Sequence, residues 1–418
     1  MERTSCRDCN LILITVDTLR PDHMGLYGYR RDTTPHLSRF FGLASVFKKA
    51  ISPAPCTVPA VKQMLSGSLL AGGTRLAEVL KANRYQTAAV VSQQLFHAFA
   101  KSDQYARGFD RWDIQEPTEV DRYGMSQRTA AEVTARALHW LGKRDRSKKF
   151  FLWLHYFDPH DPYQPPEAFR FYGPGAATSA RGDRRGLLQQ AEKPAWLPWQ
   201  RAGAIFSSEQ TSQFLALYDG EIRYVDEQIG RLLRNLSDLD LLSSSVVVLT
   251  ADHGERLGED NTWDHCLSLH ERELRVPLAV SVAGARLGRR DTDAPVSTLD
   301  VYPTVLDLLG LGYEPDGIDG RTLLKRWPGR VVCSIFSSEV MVRRGEWKLY
   351  AHNSRRGYLP TKLVDLAGRL DEETNLLRDR PRIRGELMRE LANSLQQMQA
   401  VSESTSETVK QLKALGYI

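Results

Sequence analysis

Residues 11–17 read LILITVD, an almost wholly apolar run that ends in a carboxylate. A run of this length suits a strand buried on both faces, and it is far too short to span a bilayer. The polar loop TLRPDHMGLYGYRRDTTP follows at 18–35. The stretch therefore predicts a central strand of an α/β sheet. Asp17 then lies at its carboxyl end, the edge at which open α/β sheets bind ligands.

Strand-like runs and helical periodicity alternate along the chain beyond this strand. This alternation is typical of a doubly wound α/β sheet with helices on both faces, which is the fold class that we predict. The expected helices cover residues 36–48, 58–66, 75–83, 125–142 and 209–235, and the expected strands cover 87–92, 149–157, 244–250 and 276–282.

The pattern changes after about residue 325. Short antiparallel strands are expected in 331–352 and 358–366, and a terminal helix at 380–400. We therefore predict a catalytic α/β domain at residues 1–325 and a smaller C-terminal α+β subdomain at 326–418. Residues 172–206 interrupt the alternation and are interpreted as a lid or an insertion, since long loops of this kind are often functional or disordered.

The composition is that of a globular protein, with 42% hydrophobic and 26% charged residues in 418. The net charge of +5, from 56 basic and 51 acidic residues, is small and scattered, so neither a nucleic acid nor a membrane surface is expected as a partner. We find no signal peptide, membrane anchor or transmembrane segment, so the cytoplasm is the default location. Five cysteines, an odd number in a long chain, predict no disulfide framework, and the lone Cys6-x-x-Cys9 lacks a second pair for a zinc knuckle.

Polar residues gather at the ends of the predicted strands. Each has an ordinary interpretation: a cap for Asp17, a solvated turn for the DHGE segment, a loop residue for His160 and a core histidine for His155. Together they offer two carboxylates, several imidazoles and the hydroxyl of Thr57, which precedes a predicted helix whose N–H groups can help to hold an anion. This donor mixture favours zinc or manganese over calcium or magnesium. The strand-end residues are Asp17, His155, Asp158, His160, Asp252, His253 and, twelve residues further on, His265.

Several longer segments identify a family. The chain resembles the sulfatase-like members of the alkaline phosphatase superfamily over nearly its full length. The resemblance lies in NLILITVDTLRPDHMGLYGY at 10–29, in the segment 33–67 that contains CTVP, and in FLWLHYFDPHDPYQPP at 151–166. It continues in TADHGERLGE at 250–259, HERELRVPL at 270–278, STLDVYPTVLDLLGL at 297–311, GEWKLY at 345–350 and VKQLKALGYI at 409–418.

The resemblance implies a role for each matching residue. Asp17 matches the first metal aspartate of the family, and Asp252 and His253 match its later metal pair. His160 matches the histidine that contacts the ester group or a second metal. His265 resembles a further histidine on the metal or substrate side, and Leu267 stands where many sulfatases carry a lysine.

The nucleophile segment departs from the formylglycine pattern C-x-P-x-R. Thr57, and not Cys56, stands two residues before Pro59, and Val61 replaces the arginine. Thr18 replaces the second aspartate after the first strand, and VVSQQLF at 90–96 lacks the expected lysine and histidine. The resemblance therefore implies an unmodified threonine nucleophile, as in phosphodiesterases, phosphonate hydrolases and phosphoethanolamine-type transferases. No formylglycine is expected, and Cys56 is interpreted as a small buried residue.

The predicted function is a metal-dependent hydrolase or transferase that acts on a phosphate or sulfate ester through a covalent Thr57 intermediate, with phosphoryl chemistry favoured. In this scheme Asp17, Thr57, Asp252 and His253 bind the metal. His160 and His265 hold ester oxygens, bind a second metal or protonate the leaving group. The substrate is expected to be a small-molecule or glycan ester. Two alternatives stay open: a sulfuric ester hydrolase without formylglycine, and an inactive sulfatase-like binding protein.

Overall fold

The structure is a computed structural model with an eight-stranded sheet at its centre. The structure describes residues 2–70, 72–92, 105–114, 127–170, 206–287, 294–315, 317–354, 357–367 and 372–402. The strands are β1 (Glu2–Arg3), β2 (Asn10–Val16), β3 (Ser45–Ile51), β4 (Gln86–Val91), β5 (Arg111–Ile114), β6 (Phe150–Tyr156), β7 (Ser245–Thr250), β8 (Arg256–Leu257), β9 (Trp263–Asp264), β10 (Arg275–Val282), β11 (Arg286–Leu287), β12 (Val296–Ser297), β13 (Val331–Phe336), β14 (Glu339–Arg344), β15 (Trp347–Ser354) and β16 (Gly357–Asp365). The helices are α1 (Pro35–Phe41), α2 (Thr57–Ser66), α3 (Leu76–Ala82), α4 (Ala130–Lys143), α5 (Ser208–Asp238), α6 (Glu271–Leu274), α7 (Val301–Leu309) and α8 (Pro381–Ser402).

The central sheet has the strand order β12-β3-β10-β7-β2-β6-β4-β5. Strand β2 is fully buried and runs parallel to β6 and β7, so Thr15 lies opposite His155 on one side and Thr250 on the other. This register brings the carboxyl ends of the three strands to one edge. Strand β10 runs antiparallel to both β7 and β3, so the sheet is mixed. The α/β prediction is confirmed, including the antiparallel C-terminal strands.

The helix ends follow local sequence signals. Helix α4 begins with a capping box in which Thr129 and Glu132 each accept the other's backbone N–H, and Ser207 and Gln210 do the same for α5. Helix α2 ends at Gly67, whose φ of 69° lies in the left-handed region that glycine adopts without a steric penalty.

One predicted helix is wrong in its second half. Helix α1 ends at Phe41, and Ser45–Ile51 forms strand β3 inside the central sheet, where a helix over 36–48 was expected. Gly42 follows the last helical residue and interrupts the periodicity, and the segment SVFKKAI then pairs with β10. Its apolar residues are compatible with either period, so only the tertiary pairing selects the strand.

The C-terminal sheet has the order β13-β14-β15-β16 and is antiparallel throughout. Leu387 and Leu391 of α8 pack on it, as the predicted terminal helix required. Ile335 N–H donates to Pro53 O at 2.9 Å and Ser334 Oγ donates to Ser52 O at 2.6 Å, so β13 supports the segment that precedes Thr57. The domain boundary at 325/326 stays a prediction.

A buried ion network lies between this sheet and α6. Glu271 accepts from Arg343 Nη1 at 2.6 Å and from Lys348 Nζ at 3.1 Å, and Lys348 also reaches Glu372 at 2.9 Å. Tyr350 donates to Glu372. The network holds α6 against the C-terminal sheet.

Almost all of the expected lid at 172–206 lies outside the described residues. Among the helices that the structure describes, none combines the length and the apolar character needed to cross a membrane.

Candidate active site

Asp17 is the first residue after β2, and the sheet holds it in place because its N–H donates to Tyr156 O at 2.8 Å. Thr18 follows with a φ of 54°, in the left-handed region, which turns the chain sharply away from the strand. Asp252 and His253 follow β7 after one intervening residue, Ala251, and all of these side chains are buried. The parallel register of β2 and β7 therefore brings the two predicted acidic positions to one point.

Thr57 is the first residue of α2 and lies against this point. Its hydroxyl donates to Asp17 Oδ2 at 3.4 Å and lies 3.1 Å from His253 Nε2. The preceding segment is anchored near Asp252, since Ser52 Oγ donates to Asp252 O and Ser52 N–H donates to Leu274 O at 2.7 Å. The helix start thus presents the Thr57 hydroxyl to the ends of β2 and β7.

The donor set fits a divalent cation. Ligand atoms of Asp17, Asp252 and His253 all lie within 4.8 Å of one another. Asp17 Oδ1 and Asp252 Oδ2 are buried with no hydrogen-bond partner among the described residues, a costly state for carboxylate oxygens. Two carboxylates, one imidazole and one hydroxyl provide two negative charges in an oxygen and nitrogen set, which a bound divalent ion would neutralise.

The electrostatics of the two carboxylates differ. Burial alone would raise the pKa of Asp17, but the hydrogen bond with His155 and the charges of His160 and His253 lower this pKa well below its usual range. Burial and the nearby negative charge of Asp17 raise the pKa of Asp252. The two acids therefore share one negative region in which only one ionises readily without a counter-ion.

A second group of possible metal donors lies beside the group formed by Asp17, Asp252 and His253. His265 Nδ1 is 3.3 Å from Glu255 Oε1 and 3.2 Å from Asp264 Oδ1, and these three residues form another set of grouped donors. Burial alone would lower the pKa of His265, but Glu255 and Asp264 raise it to about 10. The sequence analysis did not identify either carboxylate as part of the site, although Glu255 lies in the same DHGE segment as Asp252.

The imidazoles form a continuous row. The His265 ring lies 4.5 Å from that of His253 and 4.8 Å from that of His160, measured between centroids. His160 also stacks on Phe157 at 4.1 Å. The structure therefore brings His160 and His265 to the same site as Thr57.

His155 is buried in the core, as expected, yet it also touches the site. Its Nδ1 lies 2.8 Å from Thr15 Oγ1 and its Nε2 lies 3.5 Å from Asp17 Oδ2. Asp158, in contrast, accepts from Ala130 N–H at 2.9 Å at the start of α4, where it acts as a helix-terminal acceptor outside the donor group.

The cysteine predictions are wrong. Cys56 forms a disulfide with Cys266, and Cys6 forms one with Cys9, so Cys56 is not simply a small buried residue. Cys266 lies 210 positions from Cys56, and its N–H donates to Pro55 O at 3.0 Å. Counting cysteines cannot reveal such a long-range pair. Disulfides persist mainly in oxidising compartments, and these two pairs weigh against the predicted cytoplasmic location.

Comparison with known proteins identifies the family. A family model described as Sulfatase matches residues 9–311. Arylsulfatase K of Bos taurus is 26% identical over 293 residues, covering 62% of this chain and 53% of that protein. The multifunctional alkaline phosphatase superfamily protein PehA of Trinickia caryophylli is 28% identical over 206 residues, covering 46% of this chain and 40% of that protein.

A solved structure matches over nearly the whole fold. BT4656, solved in complex with its substrate D-glucosamine-2-N,6-O-disulfate, superposes with a TM-score of 0.73 at 19% identity, covering 94% of this chain and 98% of that one. The chain belongs to the sulfatase family of the alkaline phosphatase superfamily. It spans about half the length of the curated relatives that it matches.

Proposed function

We propose that this protein is a metal-dependent hydrolase or transferase that acts on a phosphate or sulfate ester through a covalent intermediate on Thr57. The observation that carries the proposal is the position of the Thr57 hydroxyl, 3.1 Å from His253 Nε2 and 3.4 Å from Asp17 Oδ2 at the start of α2. A threonine at the centre of a buried group of metal donors is placed to act as a nucleophile.

Asp17, Asp252, His253 and Thr57 would hold the metal, for which the donor set favours zinc or manganese. A divalent ion bound there supplies positive charge that lowers the pKa of the Thr57 hydroxyl and balances the charge of the ester oxygens. The hydroxyl proton leaves towards Asp17 Oδ2, the acceptor of its hydrogen bond.

The covalent step follows from this geometry. Thr57 Oγ1 attacks phosphorus or sulfur, a new bond to Thr57 forms, and the bond to the leaving-group oxygen breaks. His265 or His160 delivers a proton to that oxygen, and the row of imidazoles places both rings beside His253. Water or an acceptor alcohol then attacks the phosphorus or sulfur and gives its proton to the histidine, while the bond to Thr57 Oγ1 breaks and Thr57 regains its proton from Asp17.

Formylglycine chemistry has little support in this chain. Cys56 is the residue before Thr57, and its sulfur is bonded to Cys266. Val61, at the position of the family's arginine, is a buried apolar residue. We therefore infer that no formylglycine forms and that the unmodified Thr57 hydroxyl reacts.

Phosphoryl chemistry is favoured by the nature of the intermediate. A formylglycine hydrate expels sulfate through its second hydroxyl, whereas a threonine ester has none and must be displaced by an outside nucleophile. A sulfate ester substrate is the second candidate, because arylsulfatase K is among the relatives that cover more than half of this chain. In either case we expect a small-molecule or glycan ester.

The test compares matched nitrophenyl sulfate, phosphate monoester and phosphodiester substrates on metal-replete wild type and Thr57→Ala. Loss of phosphoester cleavage in the variant supports the proposal, and loss of sulfate cleavage supports the second candidate. Thr57→Ser is the matched control, since it keeps a hydroxyl and should keep measurable turnover. Turnover that survives in Thr57→Ala would overturn the covalent scheme, and metal-free, inactive wild type would favour a binding protein.

A further inference from the structure

Two cations that form no ion pair with any described residue lie in or next to α2, outside the group of metal donors. Arg75 immediately precedes α3 and is only 6% exposed, and its Nε and Nη1 have no hydrogen-bond partner in the part of the chain that the structure describes. Lys62 lies in α2 and is partly buried. Within the described part of the chain, no ion pair joins either side chain to a carboxylate.

The neighbouring carboxylate, Glu78, is already engaged. Its Oε1 accepts from Arg107 Nε at 3.1 Å and from Arg107 Nη2 at 2.8 Å, while its Oε2 accepts the backbone N–H of Arg75 at 2.9 Å. The carboxylate of Glu78 is therefore occupied by the Arg107 side chain and by a backbone N–H. Two donors of the Arg75 guanidinium, Nε and Nη1, have no hydrogen-bond partner among the described residues.

Tyr105 completes the surroundings of Lys62. Lys62 Nζ lies 5.3 Å from the centroid of the Tyr105 ring, and the Tyr105 hydroxyl donates to Val58 O at 2.7 Å. Burial and the charge of Arg75 lower the pKa of Lys62 to about 8, and burial lowers the pKa of Arg75. Both directions indicate that the positive charges here are poorly compensated.

We propose that Arg75 and Lys62 form an oxyanion-binding site that takes a sulfate, phosphate or carboxylate group. An unpaired buried charge is strongly unfavourable, so a buried guanidinium with two idle donors is best explained by a ligand that is bound part of the time. The planar guanidinium fork matches such oxyanions, and the ammonium group of Lys62 adds a second charge.

The site lies further along the helix that begins at Thr57. Lys62 follows Thr57 by five residues, about 7.5 Å along the axis and about 140° around it, so the two side chains leave different faces of α2. The oxyanion is either a free inorganic ion or a second anionic group that an extended substrate carries away from its ester. The second source rests on the proposed function, and the first does not.

Binding is tested without catalysis. We would measure the melting temperature in sodium sulfate and in sodium chloride of equal ionic strength for wild type, Arg75→Met and Lys62→Met. Arg234→Met is the matched control, because it removes the same charge from a half-exposed side chain of α5 that is paired with Glu227. Sulfate should raise the melting temperature of wild type and of Arg234→Met by several degrees more than that of Arg75→Met or Lys62→Met.

Removing an unpaired buried charge should also leave Arg75→Met at least as stable as wild type in chloride, so misfolding is distinguishable from loss of the site. An equal sulfate response in all four proteins would overturn the proposal.

Steady-state kinetics then distinguishes an oxyanion carried by the substrate from a free inorganic ion. If the substrate carries the oxyanion, Arg75→Met should raise KM at least about tenfold for an ester with a second anionic group and leave KM unchanged for one without it. If the ion is free, both KM values stay unchanged while the sulfate-induced shift is still lost. Because the melting shift needs no turnover, failure of the Thr57 mechanism and failure of the oxyanion site give different results.

Discussion

The disulfide between Cys56 and Cys266 makes a quantitative prediction about stability. It closes a loop with a sequence separation of 210, whereas Cys6–Cys9 closes one with a separation of 3. In the chain-entropy model the long loop corresponds to about 5 kcal/mol of stabilisation at 25 °C and the short loop to about 2 kcal/mol. Replacing both cysteines of the long pair by serine should therefore remove up to about 5 kcal/mol, a large share of the 5–15 kcal/mol typical of folded domains.

The assay is equilibrium urea unfolding of three proteins without reductant. These are wild type, Cys56→Ser/Cys266→Ser, and the matched control Cys6→Ser/Cys9→Ser. The long-pair variant should lose about 3 kcal/mol more free energy of unfolding than the control, and reduced wild type should approach the stability of the variants. Equal losses in the two variants, or no loss in the long-pair variant, would refute the reasoning, because the chain would then not be cross-linked beside Thr57.

Three further predictions follow from the buried charges, the core and the donor group. Burial alone would raise the pKa of Glu271, but a buried arginine and lysine of the C-terminal sheet lower it to about 2. Ionised Glu271 therefore stabilises the folded protein fully above the unfolded pKa of 4.5, and this stabilisation is lost as the pH falls towards 2. Glu271→Gln should lower the free energy of unfolding by about 3–5 kcal/mol at neutral pH and by far less at low pH. A cost that does not change with pH would contradict this explanation. Leu13→Ala in buried β2 should lower the free energy of unfolding, measured in urea, by about 2–5 kcal/mol. The control Leu43→Ala, whose side chain is 70% exposed, should lower it by less than about 0.5 kcal/mol. Similar losses in the two variants would show that β2 is not central. A chelator should lower the melting temperature of metal-replete wild type, since a metal at 100 times its Kd stabilises by about 2.7 kcal/mol, and it should leave Asp252→Ala unchanged; an identical shift in both would place the metal elsewhere.

The sequence alone determined the central strands and the ends that carry polar side chains. Strands β2, β6 and β7 are continuous apolar runs, a local signal that survives in any tertiary context in which a sheet is covered on both faces. Since parallel strands end at one edge, the sequence predicted that Asp17, Asp252 and His253 lie at the same edge of the sheet, whereas the pairing of β2 with β7 that brings them together is seen only in the structure. The helix expected over 58–66 likewise forms, and it begins one residue earlier, at Thr57.

The tertiary structure alone decided which distant segments meet. Nothing local distinguishes SVFKKAI at 45–51 as a strand until β10 pairs with it. The partner of Cys56 lies 210 positions away. The carboxylates around His265, and the Arg75 nitrogens that have no partner among the described residues, depend on how loops and helices pack. Periodicity reports which face of an element is buried, but it carries no information about what is packed against that face. That pairing is set by the global arrangement of the chain, so the chemistry of these contacts could be identified only in the folded protein.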